Sequence, residues 1–148
     1  MAQKTRPLEL LLIEDNPGDI RLTQEAFKGS SLPIVLNVVT DGVMGINYLK
    51  KVHPYQDSLT PDLVLLDLNL PKRDGREVLQ EIKSDKNLKK IPIVVLTTST
   101  AEQDIHQAYS LHVNSYISKP VDFDKFHEII QNIEEFWLKT AVLPTTIT

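Results

Sequence analysis

The sequence predicts an α/β protein, a three-layer sandwich in which one five-stranded parallel sheet lies between two layers of helices. Three observations predict it. Short runs at Leu8 to Ile13, Ile34 to Val39, Leu63 to Leu66, Ile93 to Leu96 and Ser115 to Ser118 read as strands, and the most apolar of them suit burial on both faces. Segments with helical spacing alternate with these runs through short links, as parallel strands with helical crossovers require. The 148 residues suit one domain with a sizeable core, and neither a repeat nor a low-complexity segment interrupts them.

Each element has its own local signals. After the first run, Pro17-Gly18-Asp19 opens a helix through about Lys28, with Ile20, Ala26 and Phe27 turned inward, and Gly29-Ser30-Ser31 closes it. Asp41-Gly42 ends the second strand, and a second helix runs to about Val52. Pro54 to Pro61 reads as a longer loop. Leu63 to Leu66 is the most apolar strand. Pro71 to Asp74 forms a turn in which Asp74 or a neighbour caps a third helix carrying Val78, Leu79 and Ile82. Pro92 starts the fourth strand, Ala101 to Leu111 is a fourth helix, and Asp122 caps a last helix that reaches about Leu138. The tail, with Pro144, is expected to be partly mobile. A single domain is expected over 1–148, with its core at about 8–138 and its tail at 139–148.

Composition narrows the function. Apolar residues at 41% and charged residues at 24% are ordinary for a globular protein. A net charge of -4 argues against nucleic acid as a partner, because phosphate backbones call for a basic surface. The absence of cysteine excludes a disulfide framework, a thiolate zinc site and cysteine catalysis. Lys4 and Arg6 precede an apolar run that is too short to span a bilayer and is interrupted by Glu9, so no membrane association and a cytoplasmic location are expected.

Four of the strand runs end in reactive groups. Glu14-Asp15 follow the first, Asp67 the third, Thr97 the fourth and Lys119-Pro120 the fifth. Ligands of open parallel sheets sit at the carboxyl ends of the strands. Three carboxylates, one hydroxyl and one ammonium are therefore expected to converge on one small pocket, suited to one divalent cation and one phosphoryl group.

These pieces, together with Asp74-Gly75, resemble in order and placement the receiver domain of two-component response regulators, over about residues 8–138. The resemblance implies a flavodoxin-like (CheY-like) receiver fold. A narrower resemblance, to the stand-alone regulators that serve cyanobacterial phytochromes, rests on Asn69-Leu70-Pro71-Lys72-Arg73-Asp74-Gly75-Arg76-Glu77-Val78-Leu79, on Leu96-Thr97-Thr98-Ser99, and on Phe136-Trp137-Leu138 with Leu143-Pro144. It implies a sensor histidine kinase, in that subfamily a phytochrome, as phosphodonor.

The roles follow from the chemistry of each group and from that resemblance. Clustered carboxylates raise one another's proton affinity, and a hard divalent cation relieves this. Magnesium is expected, with manganese or calcium as substitutes. Asp15 and Asp67 are assigned as direct ligands and Glu14 as a ligand through water; the resemblance adds the main-chain carbonyl of Asn69. Asp67 is the expected nucleophile, since a carboxylate can take a phosphoryl group. Lys119 supplies a compact cation and Thr97 a hydroxyl for the phosphoryl oxygens. The resemblance also implies that Tyr116 turns inward when the Thr97 hydroxyl moves toward phosphate, and that the Lys119-Pro120 bond is cis. Asp74, Gly75 and Pro120 are read as structural, and Ser99 and Asn69 as flanking residues that tune hydrolysis.

Plainer readings stand beside these. An acidic pair at a strand end is commonly a cap with a solvated charge, Thr97-Thr98-Ser99 a polar turn with Ser99 or Thr100 capping the next helix, and Tyr116 a half-buried strand aromatic. His53, His106, His112 and His127 lack ligand spacing and are read as surface or interface residues. Lys72, Arg73, Arg76, Lys83, Lys86, Lys89 and Lys90 read first as a solvated face and second as a dock for an acidic kinase surface. In the last helix Phe123, Phe126, Ile130, Ile133 and Trp137 share one face, and Ile129 and Phe136 widen it. Either the tail residues Val142 and Leu143 cover that width, or a homodimer does, with Phe123, Ile129, Phe136 and Trp137 as candidates; the dimer is favoured. Two functions of other classes remain: a magnesium-dependent phosphohydrolase with an Asp nucleophile, disfavoured because Asn69 stands where its general acid belongs, and a receiver-folded binding module that is never phosphorylated. Two departures from compact receivers are a longer segment from Val52 to Pro61 and a threonine, Thr98, beside Thr97.

Overall fold

The computed structural model describes residues 6–146, so Lys4 and the last two residues of the tail lie outside the described residues. The five strands are β1 (Leu8–Ile13), β2 (Ile34–Val39), β3 (Leu63–Leu66), β4 (Ile93–Thr97) and β5 (Ser115–Ser118). The helices between and after them are α1 (Pro17–Lys28), α2 (Gly42–Lys50), α3 (Gly75–Ser84), α4 (Glu102–Ser110) and α5 (Phe123–Ile133). All strand pairs are parallel, in the order β2-β1-β3-β4-β5.

Side chains alternate across the sheet, and the alternation builds two cores. Leu11, Ile13, Val64, Leu66, Ile93 and Val95 face α2, α3 and α4, whose Ile46, Leu49, Val78, Leu79, Ile82 and Ala108 complete one layer. Leu10, Leu12, Leu63, Leu65, Val94 and Leu96 face α1 and α5, where Ala26, Phe27, Phe126, Ile130 and Ile133 complete the other. Full burial explains why β3 and β4 up to Thr97 read as unbroken apolar runs, and β1 as a run broken only by Glu9. Each such leucine contributes about 1.5–3 kcal/mol of transfer free energy.

The chain leaves β1 toward β2 and returns across it to β3, so the strand order reverses between β1 and β3. The ends of these strands are neighbours, Ile13 pairing with Leu66. A crevice opens at such a reversal, and the reactive strand ends flank it.

Several boundaries differ from the sequence reading. Helix α2 stops at Lys50, because Lys51 turns left-handed at φ 58 and its N–H bonds to Asn47 and Tyr48 carbonyls. Phe123 does not share the environment of Phe126, Ile130 and Ile133: it is 71% exposed at the first turn of α5, whereas they are buried. Beyond Ile133 the backbone widens into a π-helical segment, Glu134–Thr140, closed by the Ala141 N–H on the Phe136 carbonyl at 2.7 Å. Phe136 and Trp137 meet edge to face within it, 5.3 Å between ring centres. The tail is not loose up to Thr145: Leu143 is buried, Val142 is exposed, and the Thr145 hydroxyl bonds to the Asp62 carboxylate. Asp62 is fully buried and also receives the Glu9 N–H at 2.7 Å and the Arg6 guanidinium at 3.4 Å. No helix among the described residues is long and apolar enough to cross a membrane.

Candidate functional site

The acidic cluster forms where β1 and β3 end side by side. The Glu14 N–H continues the ladder to Val39 and the Asp67 N–H continues it to Ile13, at 3.1 and 3.0 Å. These bonds hold both residues one step past their strands, facing the reversal. Glu14 and Asp67 are buried and Asp15 is exposed. One carboxylate oxygen from each of Glu14, Asp15 and Asp67 lies within 4.8 Å of the others. Oxygen ligands at this spacing fit a hard divalent cation.

Lys119 closes the cluster. Its N–H bonds to the Thr97 carbonyl at 2.7 Å, which carries the chain over the end of β4. The Lys119 side chain is only 4% exposed, and its Nζ contacts Glu14 Oε1, Asp19 Oδ2 at 2.9 Å and Asp67 Oδ2 at 3.4 Å. Burial alone would pull this ammonium toward neutrality, but bonds to Glu14 and Asp19 and the charge of Asp67 outweigh it and raise its proton affinity. Burial pushes the Glu14 carboxyl up to about 7, against the opposing bond from Lys119.

Asp19 was not foreseen as a site residue. Asn16 caps α1 by accepting the Asp19 N–H at 3.0 Å, and the first helical turn swings Asp19 back over the strand ends. Its position one helical turn past the acidic pair is the sequence signal for it.

Thr97 ends β4 and Tyr116 lies on β5. Thr97 is fully buried, and its hydroxyl accepts the Ser99 N–H at 3.5 Å, which leaves its own proton to donate. Tyr116 is half-buried against the α2–α4 core, and its hydroxyl donates to the Ser99 carbonyl at 3.0 Å. Ser99 does not cap α4, whose N-cap is Ala101 without a side-chain bond; the Ser99 hydroxyl donates instead to Asp104 at 2.6 Å. Asn69 is exposed, and its N–H reaches Asp67 Oδ1 at 3.3 Å.

The loop after Asp67 is shaped by two glycines and a cap. Asp74 caps α3 through the Arg76 N–H at 2.8 Å. The Gly75 N–H bonds to the Leu68 carbonyl at 2.9 Å, and a Cβ at Gly75 would lie 2.5 Å from the Leu68 Cα and closer still to the Asp67 carbonyl. A Cβ at Gly42 would lie 2.8 Å from the Arg73 carbonyl carbon. Only hydrogen fits at either place, so the loop rests directly on α2 and α3.

The Lys119-Pro120 bond departs from what the resemblance implied: the cis bond among the described residues is His53-Pro54, and Lys119-Pro120 is trans. The two isomers of an X-Pro bond differ little in energy, so the residue pair alone did not fix the geometry.

In the basic middle of the chain Lys72, Arg73 and Arg76 meet carboxylates, whereas Lys86, Lys89 and Lys90 are exposed. Arg76 forks onto Asp104 at 2.8 and 2.7 Å and touches Asp74 at 3.0 Å. Arg73 binds Glu81 and Glu77, Lys50 binds Glu81 at 2.5 Å, and Lys72 lies 3.6 Å from Asp41. Among the described residues the metal-capable cluster is made of carboxylates and holds no histidine. Ile129, Phe136 and Trp137 line a groove of about 360 Å³ with Ile117, Asn132 and Ile133, whereas Phe123 is not part of it.

Comparison with known proteins places this geometry. The family described as the response regulator receiver domain matches residues 10–131. Response regulator Rcp1 of Synechocystis sp. is 47% identical over 138 residues, 93% of this chain and 94% of that protein. The crystal structure of the phosphorylated cyanobacterial phytochrome response regulator RcpA is 52% identical, with a TM-score of 0.92 over 94% of this chain and 99% of that one. The Mn(2+)-bound form of Rcp1 gives a TM-score of 0.91 at 47% identity, over 93% and 99% of the two chains.

Proposed function

This chain belongs to the response regulator receiver domain family, and on that premise we propose that it is a stand-alone regulator, one receiver domain over 1–148, whose Asp67 accepts a phosphoryl group from a sensor histidine kinase. The observation that carries the reading is the convergence of Glu14, Asp15, Asp67 and Lys119 at the reversal of the strand order.

Asp15 and Asp67 would hold magnesium directly, with Glu14 acting through water and Asn69 lending its main-chain carbonyl; manganese suits the same oxygens. The ion, when bound, neutralises phosphoryl charge and orients the group. An Asp67 carboxylate oxygen forms the new bond to phosphorus as the bond from phosphorus to the kinase imidazole breaks. The imidazole keeps the electron pair and takes a proton. Lys119 offers its ammonium to one phosphoryl oxygen and Thr97 its hydroxyl proton to another. Tyr116 reads the result, since Thr97 and Tyr116 both bond to Ser99. The chain acts on no separate substrate; it promotes only its own phosphorylation and dephosphorylation.

The donor is a phytochrome-type kinase, a reading supported by the likeness to Rcp1 and RcpA. Output is by protein contact, without nucleic acid or membrane, in the cytoplasm. The exposed Phe136 and Phe123, with Ile129 and Trp137, support a homodimer on the α5 face. Sedimentation with and without phosphorylation tests that part, and a monomer in both states overturns it. Asn69 in place of an acid two residues after Asp67 disfavours the phosphohydrolase.

Incubation with acetyl phosphate and magnesium tests the central reading. The expected product is one alkali-labile phosphoryl group on the wild type and none on Asp67→Asn. Label that persists in Asp67→Asn, or its absence from the wild type, overturns it.

A further inference from the structure

A continuous polar chain runs from the loop that carries Asp67 to the ring of Tyr116, and Arg76 stands in its middle. The start of α3 lies against the main chain of Asp67 and Leu68, because the Gly75 N–H is on the Leu68 carbonyl and no side chain intervenes. Arg76 follows at once. Its Nε and Nη2 fork onto the two oxygens of Asp104 at 2.8 and 2.7 Å, and its Nη1 spans both oxygens of Asp74 at 3.1 and 3.0 Å. Asp104, buried on α4, takes the Ser99 hydroxyl on the same Oδ2 at 2.6 Å. Ser99 in turn gives its N–H to Thr97 and takes the Tyr116 hydroxyl on its carbonyl.

We propose that Arg76 is a positioning residue for phosphoryl binding, acting through Asp104 to hold Ser99 where its carbonyl receives the Tyr116 hydroxyl. The inference rests on the receiver reading of the site and deepens it. The loop between β4 and α4 carries both the Thr97 bond and the Tyr116 bond, so any freedom in Ser99 loosens both. A planar guanidinium held by four oxygen contacts restricts that freedom more than a lysine could, since a fork fixes orientation as well as distance. The side chains of Arg76 and Asp104 are 27% and 10% exposed, so solvent screens the pair only in part. Because Arg76 also abuts the Asp67 loop, α3 links the acceptor aspartate to the aromatic switch by a route separate from Lys119.

Calorimetric titration of the full chain with beryllofluoride in saturating magnesium, beside a magnesium titration alone, tests this. Arg76→Ala should weaken beryllofluoride binding by about five- to tenfold, the size of an ordinary coupling between sites, with magnesium affinity unchanged. Tyr116→Phe should show a similar loss, and adding Arg76→Ala to it should cost less than about twofold more, since the two act in one chain. Arg76→Lys should fall between the wild type and Arg76→Ala. Ser99→Ala removes the hydroxyl that Asp104 holds and leaves the ion pair, so it carries the test if Arg76→Ala does not fold. Wild-type beryllofluoride affinity in both Arg76→Ala and Ser99→Ala, or a full additive loss on the Tyr116→Phe background, overturns the proposal. A wild type that binds no beryllofluoride overturns the receiver reading instead.

Discussion

The ammonium of Lys119 lies closer to Asp19, at 2.9 Å, than to Asp67, at 3.4 Å. The cation assigned to the phosphoryl group is thus held in part by a helix residue that must share or release it. Asp19→Asn removes one negative charge from the vicinity of the incoming anion and frees Lys119. Beryllofluoride affinity should rise by roughly threefold, while α1 loses about 0.3–1 kcal/mol of charge–dipole support at its first turn. Calorimetry and urea unfolding check the two effects, and unchanged anion affinity would show that Asp19 does not compete.

Lys119→Ala leaves three carboxylates without their cation. Magnesium should still bind, because the oxygens that take it remain. Phosphorylation should no longer alter partner binding or the Tyr116 environment, and a normal phosphorylation-dependent response in this variant refutes the role assigned to Lys119.

Glu14 carries the pH dependence of the metal site. Burial raises its carboxyl to about 7, so in the metal-free protein it takes up a proton as the pH falls through that value. A cation favours the ionised form. Magnesium affinity should therefore decline as pH drops from about 8 to 6, and Glu14→Gln should flatten that part of the profile. The stability of the metal-free protein has the opposite sense. The folded form binds more protons than the unfolded one between the ordinary value of 4.5 and about 7, so stability falls as pH rises across that window.

Asp104 behaves the other way. Bonds from Arg76 and Ser99 hold its carboxyl down at about 2, below the ordinary 3.8. Its contribution is complete above 3.8 and is lost as pH falls toward 2. Asp104→Asn should remove that share of the acid unfolding slope, as followed by circular dichroism.

The runs of β1, β3 and β4 were legible because burial on both faces leaves no alternation to hide them, and Asp74 and Asp122 were legible as ordinary helix caps, whereas the capping by Asn16 and Asp41 was not read. The meeting of Glu14, Asp15, Asp67 and Lys119 was expected from a single rule about strand ends. Asp19 escaped because its approach to Lys119 depends on the entry angle of α1. The Arg76 fork escaped because its partner lies 28 residues away on another helix, and a basic stretch looks the same whether solvated or paired. The π-helical turn and the trans Lys119-Pro120 bond depend on tertiary fit and carry no residue signature.

Asp62 gathers Arg6 from one end of the described chain and Thr145 from the other, at the pole of β3 opposite Asp67. Probes attached beside Arg6 and Thr145 would therefore lie close together, at the pole opposite Asp67. Energy transfer between them would report detachment of the tail in living cells, without obstructing the signal it follows.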